Sequence, residues 1–479
     1  MNRAIASRTG ASEQASTGTA QTVDMESLAG FRLRRLDLAS VAAGDPESRR
    51  LHHDLIRRGV VPDPAVRDAA RAIVAAVRAD GDAAVRSANA RVGGGRRDGR
   101  LMLDRAELLA ARDRLNATVR RALDQAIDHV RIFAESQRPQ STTTTVAPGI
   151  DIERRWVPLT RVGCYVPGGS APYPSSLVMT VVPAKVAGVA TVVVASPADR
   201  DGLTNPILLG AAGLLEVDAF IVAGGAQAIG SLAYGLPDAG LEPVDRIVGP
   251  GNAWVTAAKI EVYGDVSIDL PAGPSEGMVL AAPGAVPGAA SAGNDPARTA
   301  ADLITQAEHG PDSPAILVTT DPDFADAVEA EVMTALANAR RRAILGAALR
   351  DHGLIVLAPT LDAAIDFINA YGPEHLSVDI EPLEPTLARL RNAGSIFAGP
   401  WAPESAGDYA TGANHVLPTG GLARGSGGLA VETYGKFVQV QRISRDGLAG
   451  IRKTVGTLAD VEGLTAHRNA VEIRFRGER

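Results

Sequence analysis

Residues 191–225, TVVVASPADRDGLTNPILLGAAGLLEVDAFIVAGG, decide the fold. The stretch opens with an aliphatic run, 191–195, that ends at Ser196-Pro197, and it closes with a second run, 219–223, that ends at Gly224-Gly225. A segment of helical length separates the two runs. Strand, loop and helix in this order predict a parallel sheet with helices on both faces.

The same pattern recurs on both sides of this stretch. Further short aliphatic runs that end in Gly or Pro loops lie at 162–166, 278–282, 315–319, 353–358 and 394–398. Segments of helical character, such as 300–308 and 323–345, lie between the later runs. We therefore expect two α/β units, with ligands at the carboxyl ends of the parallel strands.

The ends of the chain have a different character. Residues 1–30 are rich in Ser, Thr, Ala and Gly, and we expect a disordered extension. Residues 62–136 carry apolar residues three and four apart, which is typical of amphipathic helices, and a helical tail is expected after residue 428. Residues 281–296 are rich in Gly, Ala and Pro and indicate a surface loop.

Composition excludes several classes of protein. The chain has 479 residues with 48 Lys and Arg against 55 Asp and Glu, so the net charge is −7, and it lacks a basic stripe that would follow a nucleic-acid backbone. It has no run of about 18 apolar residues that would span a membrane. The single cysteine, Cys164, excludes an internal disulfide and zinc sites with several thiolates. We expect a cytoplasmic protein that uses imidazole, carboxylate or amide ligands for any metal.

Two short motifs place potential ligands or proton-transfer groups together. Gln306 and His309 are three residues apart at the end of an expected helix, a spacing that suits metal chelation and also arises by chance on helix surfaces. Glu374 and His375 are adjacent after another helix. This pair suits two proton-transfer roles, although a solvated helix end is the alternative.

Carboxylate and imidazole occur together twice more, near the C-terminus. Asp408 and His415 lie among small residues that leave room for a ligand or simply form turns, and Glu462 and His467 lie in the tail, where a solvated helix face is the alternative. Gln306, His309, Asp408 and His467 would together suit Zn²⁺ with an open position, but spacing alone does not assemble them.

Glycine-rich loops follow three of the expected strands. They are Pro167-Gly168-Gly169-Ser170, Gly224-Gly225-Ala226-Gln227 and Gly249-Pro250-Gly251-Asn252. None matches the G-x-G-x-x-G dinucleotide fingerprint. Glycine permits close backbone approach to a ligand, but tight turns need it as well.

Taken together, the motifs resemble those of the histidinol dehydrogenase family, in order from about residue 32 to residue 474. The resemblance rests on Tyr165-Val166-Pro167-Gly168-Gly169, Gly224-Gly225-Ala226-Gln227-Ala228, Gly249-Pro250-Gly251-Asn252, Ile268-Asp269 with Ala272-Gly273-Pro274-Ser275-Glu276, Gln306-Ala307-Glu308-His309, Gly372-Pro373-Glu374-His375, Gly407-Asp408-Tyr409 with Asn414-His415-Val416-Leu417-Pro418-Thr419, and Leu464-Thr465-Ala466-His467.

The resemblance implies an NAD- and zinc-dependent enzyme that oxidises L-histidinol to L-histidine through a bound aldehyde, the last steps of histidine biosynthesis. It implies one Zn²⁺ per subunit, bound by Gln306, His309, Asp408 and His467, and Glu374 with His375 as the acid/base pair. The implied substrate contacts are Ser275, Gln306, His309, His375, Asp408, His415, Glu462 and His467, and the implied NAD contacts are Tyr165, Gln227 and Asn252.

The resemblance also implies a division of the chain and a homodimer with shared sites. The expected parts are the extension over 1–30, an N-terminal segment over 31–58 that packs with the tail, a first α/β domain from 59–163 plus 277–427 with the metal and catalytic motifs, a second α/β domain over 164–276 on the NAD side, and a tail over 428–479. Both α/β domains are expected to be incomplete Rossmann-like sheets. The tail is expected to be exchanged between subunits.

Three departures from the family pattern concern the substrate. Gly277 stands where an aliphatic residue is usual, the 281–296 loop is longer, and residues 424–431 match the family's Ser-rich stretch loosely. The alternative is a paralogue that oxidises another small alcohol, such as sulfopropanediol. Retention of Glu462 and of the block that ends at His467 favours histidinol.

Overall fold

The computed structural model of the protein describes residues 31–168, 172–282 and 295–477. The expected disordered extension over 1–30 lies outside the described residues. So do residues 169 and 170 of the first glycine loop and nearly all of the 281–296 loop.

The described residues contain fifteen strands and seventeen α-helices. The strands are β1 (Arg34–Asp37), β2 (Met102–Leu103), β3 (Thr142–Ala147), β4 (Ile150–Pro158), β5 (Arg161–Tyr165), β6 (Thr191–Ser196), β7 (Ala219–Val222), β8 (Arg246–Val248), β9 (Ser267–Ile268), β10 (Gly277–Ala281), β11 (Ala315–Thr319), β12 (Gly353–Leu357), β13 (His375–Asp379), β14 (Ser395–Ala398) and β15 (Gly435–Ile443).

The helices are α1 (Leu38–Ala43), α2 (Pro46–Arg57), α3 (Pro64–Val92), α4 (Arg105–Asp113), α5 (Ala117–Ser136), α6 (Pro174–Ala187), α7 (Pro206–Leu214), α8 (Gly225–Tyr234), α9 (Ala253–Val262), α10 (Pro296–Glu308), α11 (Pro322–Asn338), α12 (Arg342–His352), α13 (Leu361–Tyr371), α14 (Leu383–Leu387), α15 (Glu404–Tyr409), α16 (Arg445–Val461) and α17 (Thr465–Glu472). Helix α3 is kinked at Gly81, whose φ is 52°.

The chain forms two compact units. The first holds the described residues of 1–60, 272–407 and 417–427, and the second holds those of 61–271, 408–416 and 428–479. Each unit contains its own six-stranded sheet. The prediction of a mixed α/β protein with parallel sheets is confirmed.

The sheet of the first unit has the order β1-β12-β11-β10-β13-β14, and every neighbouring pair is parallel. Alternate residues of each strand face opposite sides of the sheet. Met278 and Leu280 of β10 therefore pack in one apolar cluster, while Val279 and Ala281 pack in the other. Burial on both faces explains why these strands appear in the sequence as continuous aliphatic runs.

The sheet of the second unit has the order β2-β7-β6-β5-β8-β9, parallel except for β2. Its two faces are buried in the same alternating way. Val192 and Val194 of β6 pack on one side, and Val193 and Ala195 pack on the other. A separate antiparallel sheet in this unit has the order β15-β4-β3.

The structure corrects the expected domain division. Residues 61–163 belong to the second unit, where α3 packs against α8 and α9, and α4 packs against α7. We had expected 59–163 to accompany 277–427. An amphipathic helix shows in sequence that it covers a core, but its pattern does not identify which sheet it covers.

Two helical predictions are also corrected. The single helix expected over 323–345 is two helices, α11 and α12, and the tail begins with the strand β15 before its helices. Residues 31–58 supply β1, α1 and α2 to the first unit. Their expected packing against the tail stays a prediction.

Candidate active site

A carboxyl group and an imidazole lie side by side where the strand β13 of the first unit begins. Helix α13 ends at Tyr371 and is capped by Gly372, whose φ of 63° lies in the left-handed region that glycine adopts without strain. Glu374 then precedes β13 and His375 is its first residue, with 5% and 2% of their surfaces exposed. Because β13 lies between β10 and β14, both residues lie at the end of an inner strand of the sheet.

The carboxylate of Glu374 is held by the segment that precedes β10. Its Oε2 atom accepts hydrogen bonds of 2.9 Å from the Ser275 hydroxyl and from the backbone N–H of Glu276, and it lies 3.6 Å from Nδ1 of His375. Burial raises the pKa of Glu374 well above its ordinary value, and the carboxylates of Glu276 and Glu404 raise it further, against the lowering effect of the two hydrogen bonds. A carboxylate with a raised pKa is a stronger base than an ordinary carboxylate, as a proton-transfer group requires.

The imidazole of His375 packs between two other rings. It stacks on Phe397 with ring centroids 6.0 Å apart and an interplanar angle of 27°. The ring of His309 lies 6.4 Å away on a tilted plane. These contacts fix the orientation of His375 beside Glu374, as a general base requires.

The last turn of α10 brings Gln306 and His309 to the same region. Gln306 is only 1% exposed, yet neither its amide nitrogen nor its amide oxygen has a hydrogen-bond partner among the described residues. An unsatisfied buried amide costs about 1–3 kcal/mol, so such a group indicates a ligand that the chain itself does not supply. A Cβ atom on Gly277 would lie 2.7 Å from Cγ of Gln306, which explains glycine at the first position of β10.

Helix α15 adds two carboxylates. Oε1 of Glu404 lies 3.4 Å from Nε2 of His309, and Glu404 is 3% exposed. Asp408 follows four residues later in the same helix, so the two carboxylates share one helix face. Amide, imidazole and carboxylate donors are a ligand set that suits Zn²⁺. Our sequence prediction missed Glu404, although its spacing of four from Asp408 is a signal that could have identified it.

The cluster of the first unit lies at the amino ends of its strands. His375 begins β13, Ser275 precedes β10, and Gln306 lies in the last turn of α10, which leads into β11. The candidate residues of this sheet therefore lie at its amino ends, whereas the sequence pattern led us to expect ligands at the carboxyl ends. A helix C-terminus carries a partial negative charge, which favours a bound cation.

The predicted NAD residues of the second unit lie at the carboxyl ends of its strands. Tyr165 ends β5, Gln227 follows β7 and Asn252 follows β8. The Tyr165 hydroxyl accepts a 3.4 Å hydrogen bond from the N–H of Gly225, and burial raises the pKa of this tyrosine to about 12. Gly249 has a φ of 113°, and a Cβ there would lie 2.1 Å from the Tyr165 carbonyl oxygen. The structure thus brings the ends of these three strands together.

The amide side chains of this region support the same backbone turns. Nε2 of Gln227 donates to Oδ1 of Asn89 at 3.1 Å and to the Gly93 carbonyl at 3.3 Å, while its buried Oε1 has no partner among the described residues. Oδ1 of Asn252 caps α9 by accepting from the backbone N–H groups of Trp254 and Val255. The N-termini of α8 and α9 therefore lie at the carboxyl edge of the sheet, where they favour an anionic group.

The other predicted site residues lie in the second unit. Nδ1 of His415 lies 2.9 Å from the Asp408 carbonyl oxygen and 3.8 Å from its Oδ1, and Nε2 lies 3.5 Å from the Ser176 hydroxyl. Glu462 caps the end of α16, and His467 lies on α17. Every residue from 461 to 470 is exposed, so Glu462 and His467 make few contacts within the subunit.

Comparison with known proteins assigns the family. The family model described as "Histidinol dehydrogenase" matches residues 57–475. The chain belongs to the histidinol dehydrogenase family. The histidinol dehydrogenase of Leifsonia xyli subsp. xyli is 45% identical over 435 residues, which cover 90% of this chain and 98% of that protein. The histidinol dehydrogenase of Mycobacterium tuberculosis is 43% identical over 92% of this chain and 98% of that protein.

A solved member of the histidinol dehydrogenase family has the same fold. The crystal structure of histidinol dehydrogenase from Elizabethkingia anophelis is 31% identical in sequence and matches with a TM-score of 0.83, over 93% of this chain and 98% of that chain. The resemblance stated from the sequence motifs is confirmed at the level of the family. Among the residues that the structure describes, no helix has both the length and the apolar character needed to cross a membrane.

Proposed function

We propose that this chain oxidises L-histidinol to L-histidine in two successive steps with two molecules of NAD. The observation that carries the proposal is the buried Glu374–His375 pair at the start of β13, in a chain that belongs to the histidinol dehydrogenase family. An alcohol oxidation needs a base for the hydroxyl proton. An aldehyde oxidation needs a second base that activates water.

The two bases divide this work. His375 accepts the alcohol proton in the first step, because its ring is held between Phe397 and His309 with its Nδ1 side toward Glu374. Glu374 activates the water that hydrates the aldehyde, because a carboxylate with a raised pKa is a stronger base than an ordinary carboxylate. The hydroxyl of Ser275 orients the carboxylate, and it is also a substrate contact in this proposal.

We assign the metal to Gln306, His309, Asp408 and the partner subunit's His467, with one Zn²⁺ per subunit. The orphaned amide of Gln306, the imidazole of His309 and the carboxylates of α15 support a cation at the end of α10. Bound zinc would supply an anchor for the nitrogen donors of histidinol. His415 and the partner subunit's Glu462 complete the proposed substrate contacts.

We assign NAD to the carboxyl end of the second unit's sheet, with Tyr165, Gln227 and Asn252 as its contacts. The left-handed glycines and the N-termini of α8 and α9 support an anionic ligand here. The free, buried Oε1 of Gln227 is a further acceptor for such a ligand. Bound NAD would supply the hydride acceptor for both steps.

We infer a homodimer whose tails are exchanged. The supporting observation is the wholly exposed stretch from 461 to 470, which includes both tail residues of the proposed site and the apolar side chains of Val461 and Leu464, 80% and 41% exposed. Exposed apolar side chains at this density mark an interaction surface. A cytoplasmic location stays a prediction from the sequence.

The substrate is tested by the stoichiometry of turnover. With L-histidinol and excess NAD, the purified protein should form two NADH for each histidine, lose activity on chelation and regain it with Zn²⁺. One NADH per alcohol without histidine would contradict the proposal and favour a paralogue that oxidises another small alcohol. Sulfopropanediol is the comparison substrate.

The exchanged tail is tested by mixing two inactive variants. His375→Ala removes the proposed base of its own subunit, and His467→Ala removes the ligand that its tail gives to the partner. Hybrid dimers should regain part of the activity, because one of their two sites has every residue intact. Verified subunit exchange without any recovery would contradict a shared site.

A further inference from the structure

A half-buried arginine in the first unit holds the backbone that leads to the catalytic pair. Arg58 follows α2, and its side chain is 17% exposed. Its Nη1 atom donates to the carbonyl oxygens of Leu55 at 3.1 Å and Tyr371 at 2.7 Å, and Nη2 donates to the carbonyl of Gly372 at 3.3 Å. The guanidinium also lies 3.2 Å from the ring centroid of Tyr371. Arg58 thus holds Tyr371 and Gly372, which lie three and two residues before Glu374.

The same guanidinium forms an ion pair with Glu276. Nε and Nη2 of Arg58 donate to Oε2 of Glu276 at 2.9 Å and 2.5 Å, and Oε1 of Glu276 accepts from the N–H of Gly420. Glu276 is 3% exposed. A buried carboxylate with this many donors is fixed in position, and two donors that converge on one oxygen are supplied by the planar fork of arginine.

The backbone of Glu276 contacts both catalytic residues. Its N–H donates to Oε2 of Glu374 at 2.9 Å, and its carbonyl accepts from the N–H of His375 at 3.2 Å. A displacement of Glu276 would therefore move the carboxylate of Glu374 directly, whereas it would reach His375 only at the backbone, because the imidazole of His375 is held by Phe397 and His309. Arg58 holds the side chain of Glu276 by an ion pair. It also holds the segment that leads to Glu374 by hydrogen bonds to the carbonyls of Tyr371 and Gly372.

We infer that Arg58 is a positioning residue of the aldehyde-oxidising step, acting through Glu276 on the carboxylate of Glu374. The inference rests on the proposed function, because it assigns Glu374 to that step. A misplacement of about 1 Å at a reacting group can lower the rate on the order of 10²-fold, so the effect expected from losing the clamp is large. Arg58 itself touches neither Ser275 nor His375 in the contacts described above.

Changes in charge around Glu374 should shift the pH dependence of the aldehyde step, which a purely structural role of Arg58 would not do. Glu276 and Glu404 both raise the pKa of Glu374, and the other titratable groups of this network are Arg58, Tyr371 and His375. Without Arg58, the Glu276 carboxylate loses its cation and raises that pKa further. Glu276→Gln removes the negative charge and lowers it. The acidic limb of the aldehyde step should move to higher pH in the first variant and to lower pH in the second.

The position of Arg58 also allows chemical rescue. A cleft of about 370 Å³ in the first unit is lined by Arg58, Leu55, Val60, Pro274 and Tyr371, among others. Truncation of Arg58 would leave a cavity that opens into this cleft. Free guanidinium, which has the same planar donors, could then occupy the position of the lost side chain.

The test compares Arg58→Ala with the control Arg57→Ala, which removes an exposed arginine one residue earlier. Each oxidation step is measured separately in the zinc- and NAD-loaded enzyme. Arg58→Ala should lower kcat for histidinaldehyde on the order of 10²-fold, with the KM for NAD unchanged, and a low concentration of guanidinium should restore part of it. Arg58→Lys should be intermediate, and Arg57→Ala should be unchanged. The inference would be overturned if Arg58→Ala oxidised histidinaldehyde at the wild-type rate. It would also be overturned if Arg58→Ala lost both steps equally, guanidinium restored neither step, and Arg58→Ala and Glu276→Gln did not shift the pH profile in opposite directions.

A second readout separates this inference from the proposed function. If wild-type protein forms no histidine, the proposed function fails, and amide hydrogen exchange over residues 371–376 still tests the clamp. Exchange there should be faster in Arg58→Ala than in wild type, and guanidinium should slow it. Unchanged exchange would overturn the inference whether or not the enzyme oxidises histidinol.

Discussion

The two parallel sheets of this chain carry their candidate ligand residues at opposite ends. In the first unit, His375 begins a strand and Gln306 lies at the end of a helix. In the second unit, Tyr165 ends a strand and Asn252 caps the beginning of a helix. The same kind of sheet therefore offers two electrostatically different edges.

The difference follows from the direction of the helices. In a parallel α/β sheet, each crossover helix runs opposite to the strands, so helix C-termini lie at the amino edge and helix N-termini lie at the carboxyl edge. Helix C-termini favour cations and helix N-termini favour anions, typically by 0.3–1 kcal/mol each. The proposed zinc site occupies the first kind of edge, and the proposed site of the anionic NAD pyrophosphate occupies the second. We therefore propose that each edge binds the ligand of opposite charge, the zinc cation at the amino edge and the NAD pyrophosphate at the carboxyl edge.

The largest expected effect comes from removing the base of the first unit. His375→Ala should lower kcat for histidinol oxidation by about 10²–10⁴-fold, because general base catalysis contributes about that much. Affinity for NAD should not change, since NAD is assigned to the second unit. Steady-state kinetics and an NAD titration check both statements.

A matched histidine provides the control for that variant. His352 immediately precedes β12 at the same amino edge. His352→Ala should retain wild-type kcat. A parallel loss in both variants would show that the whole edge is sensitive and would contradict a specific role for His375.

The next effect tests the carboxyl edge of the second unit. Gly249→Ala forces a Cβ toward the Tyr165 carbonyl oxygen, at 2.1 Å if nothing moves, in a left-handed backbone with a φ of 113°. Strain of this kind costs about 1–3 kcal/mol, so the loop should shift and the Kd for NAD should rise. NAD titration and thermal unfolding measure the two consequences.

Gly450→Ala is the matched control for this substitution. Gly450 lies in α16, and a Cβ there would meet nothing within 4 Å. Alanine should stabilise this helix slightly, by up to about 1 kcal/mol, and leave NAD binding unchanged. Unaltered NAD affinity in Gly249→Ala would contradict the assignment of this edge to the dinucleotide.

The smallest effect concerns the crowded carboxylates of the first unit. Burial, together with the nearby carboxylates of Glu404 and Asp379, raises the pKa of Asp302 in α10 to about 6, against the lowering effect of Arg298. Between about pH 4 and pH 6, the folded protein keeps a proton that the unfolded chain has lost. Stability therefore falls as pH rises through this window, and the loss remains above it.

Asp302→Asn removes this dependence. The chelated variant should be more stable than chelated wild type at pH 7 by about 1–2 kcal/mol, and the gain should vanish near pH 4. Denaturant unfolding at several pH values measures it. Asp323→Asn, an exposed substitution in the first turn of α11, should stay within about 0.5 kcal/mol of wild type. A gain in Asp302→Asn that does not depend on pH would contradict the titration of this group.

Much of the fold followed from the sequence because buried parallel strands are continuous aliphatic runs. Strands β5, β6, β11 and β12 lie within one residue of the expected runs. The antiparallel sheet of β15, β4 and β3 was missed, because its largely exposed strands carry many Thr, Arg and Gln side chains and form no continuous aliphatic run. Local patterns also did not identify the sheet that residues 61–163 cover.

The site followed from the sequence only in part. The sequence predicted the Glu374–His375 pair because the two residues are adjacent. It predicted that Gln306 lies near His309 because the two are three residues apart at the end of a helix. The edge of the sheet on which they lie depends on helix direction in the assembled unit, which no local motif encodes. Arg58 and Glu276 were missed because they are far apart in the chain and meet only in the folded unit.

The most direct measurement of the central claim is zinc content and NAD affinity in one variant, His309→Ala. We predict that dialysed wild type holds one Zn²⁺ per chain, whereas His309→Ala loses most of its zinc and keeps the wild-type Kd for NAD. Retention of stoichiometric zinc by His309→Ala, or loss of zinc and NAD binding together, would contradict the assignment of the cation to the first unit's amino edge and of the dinucleotide to the second unit's carboxyl edge.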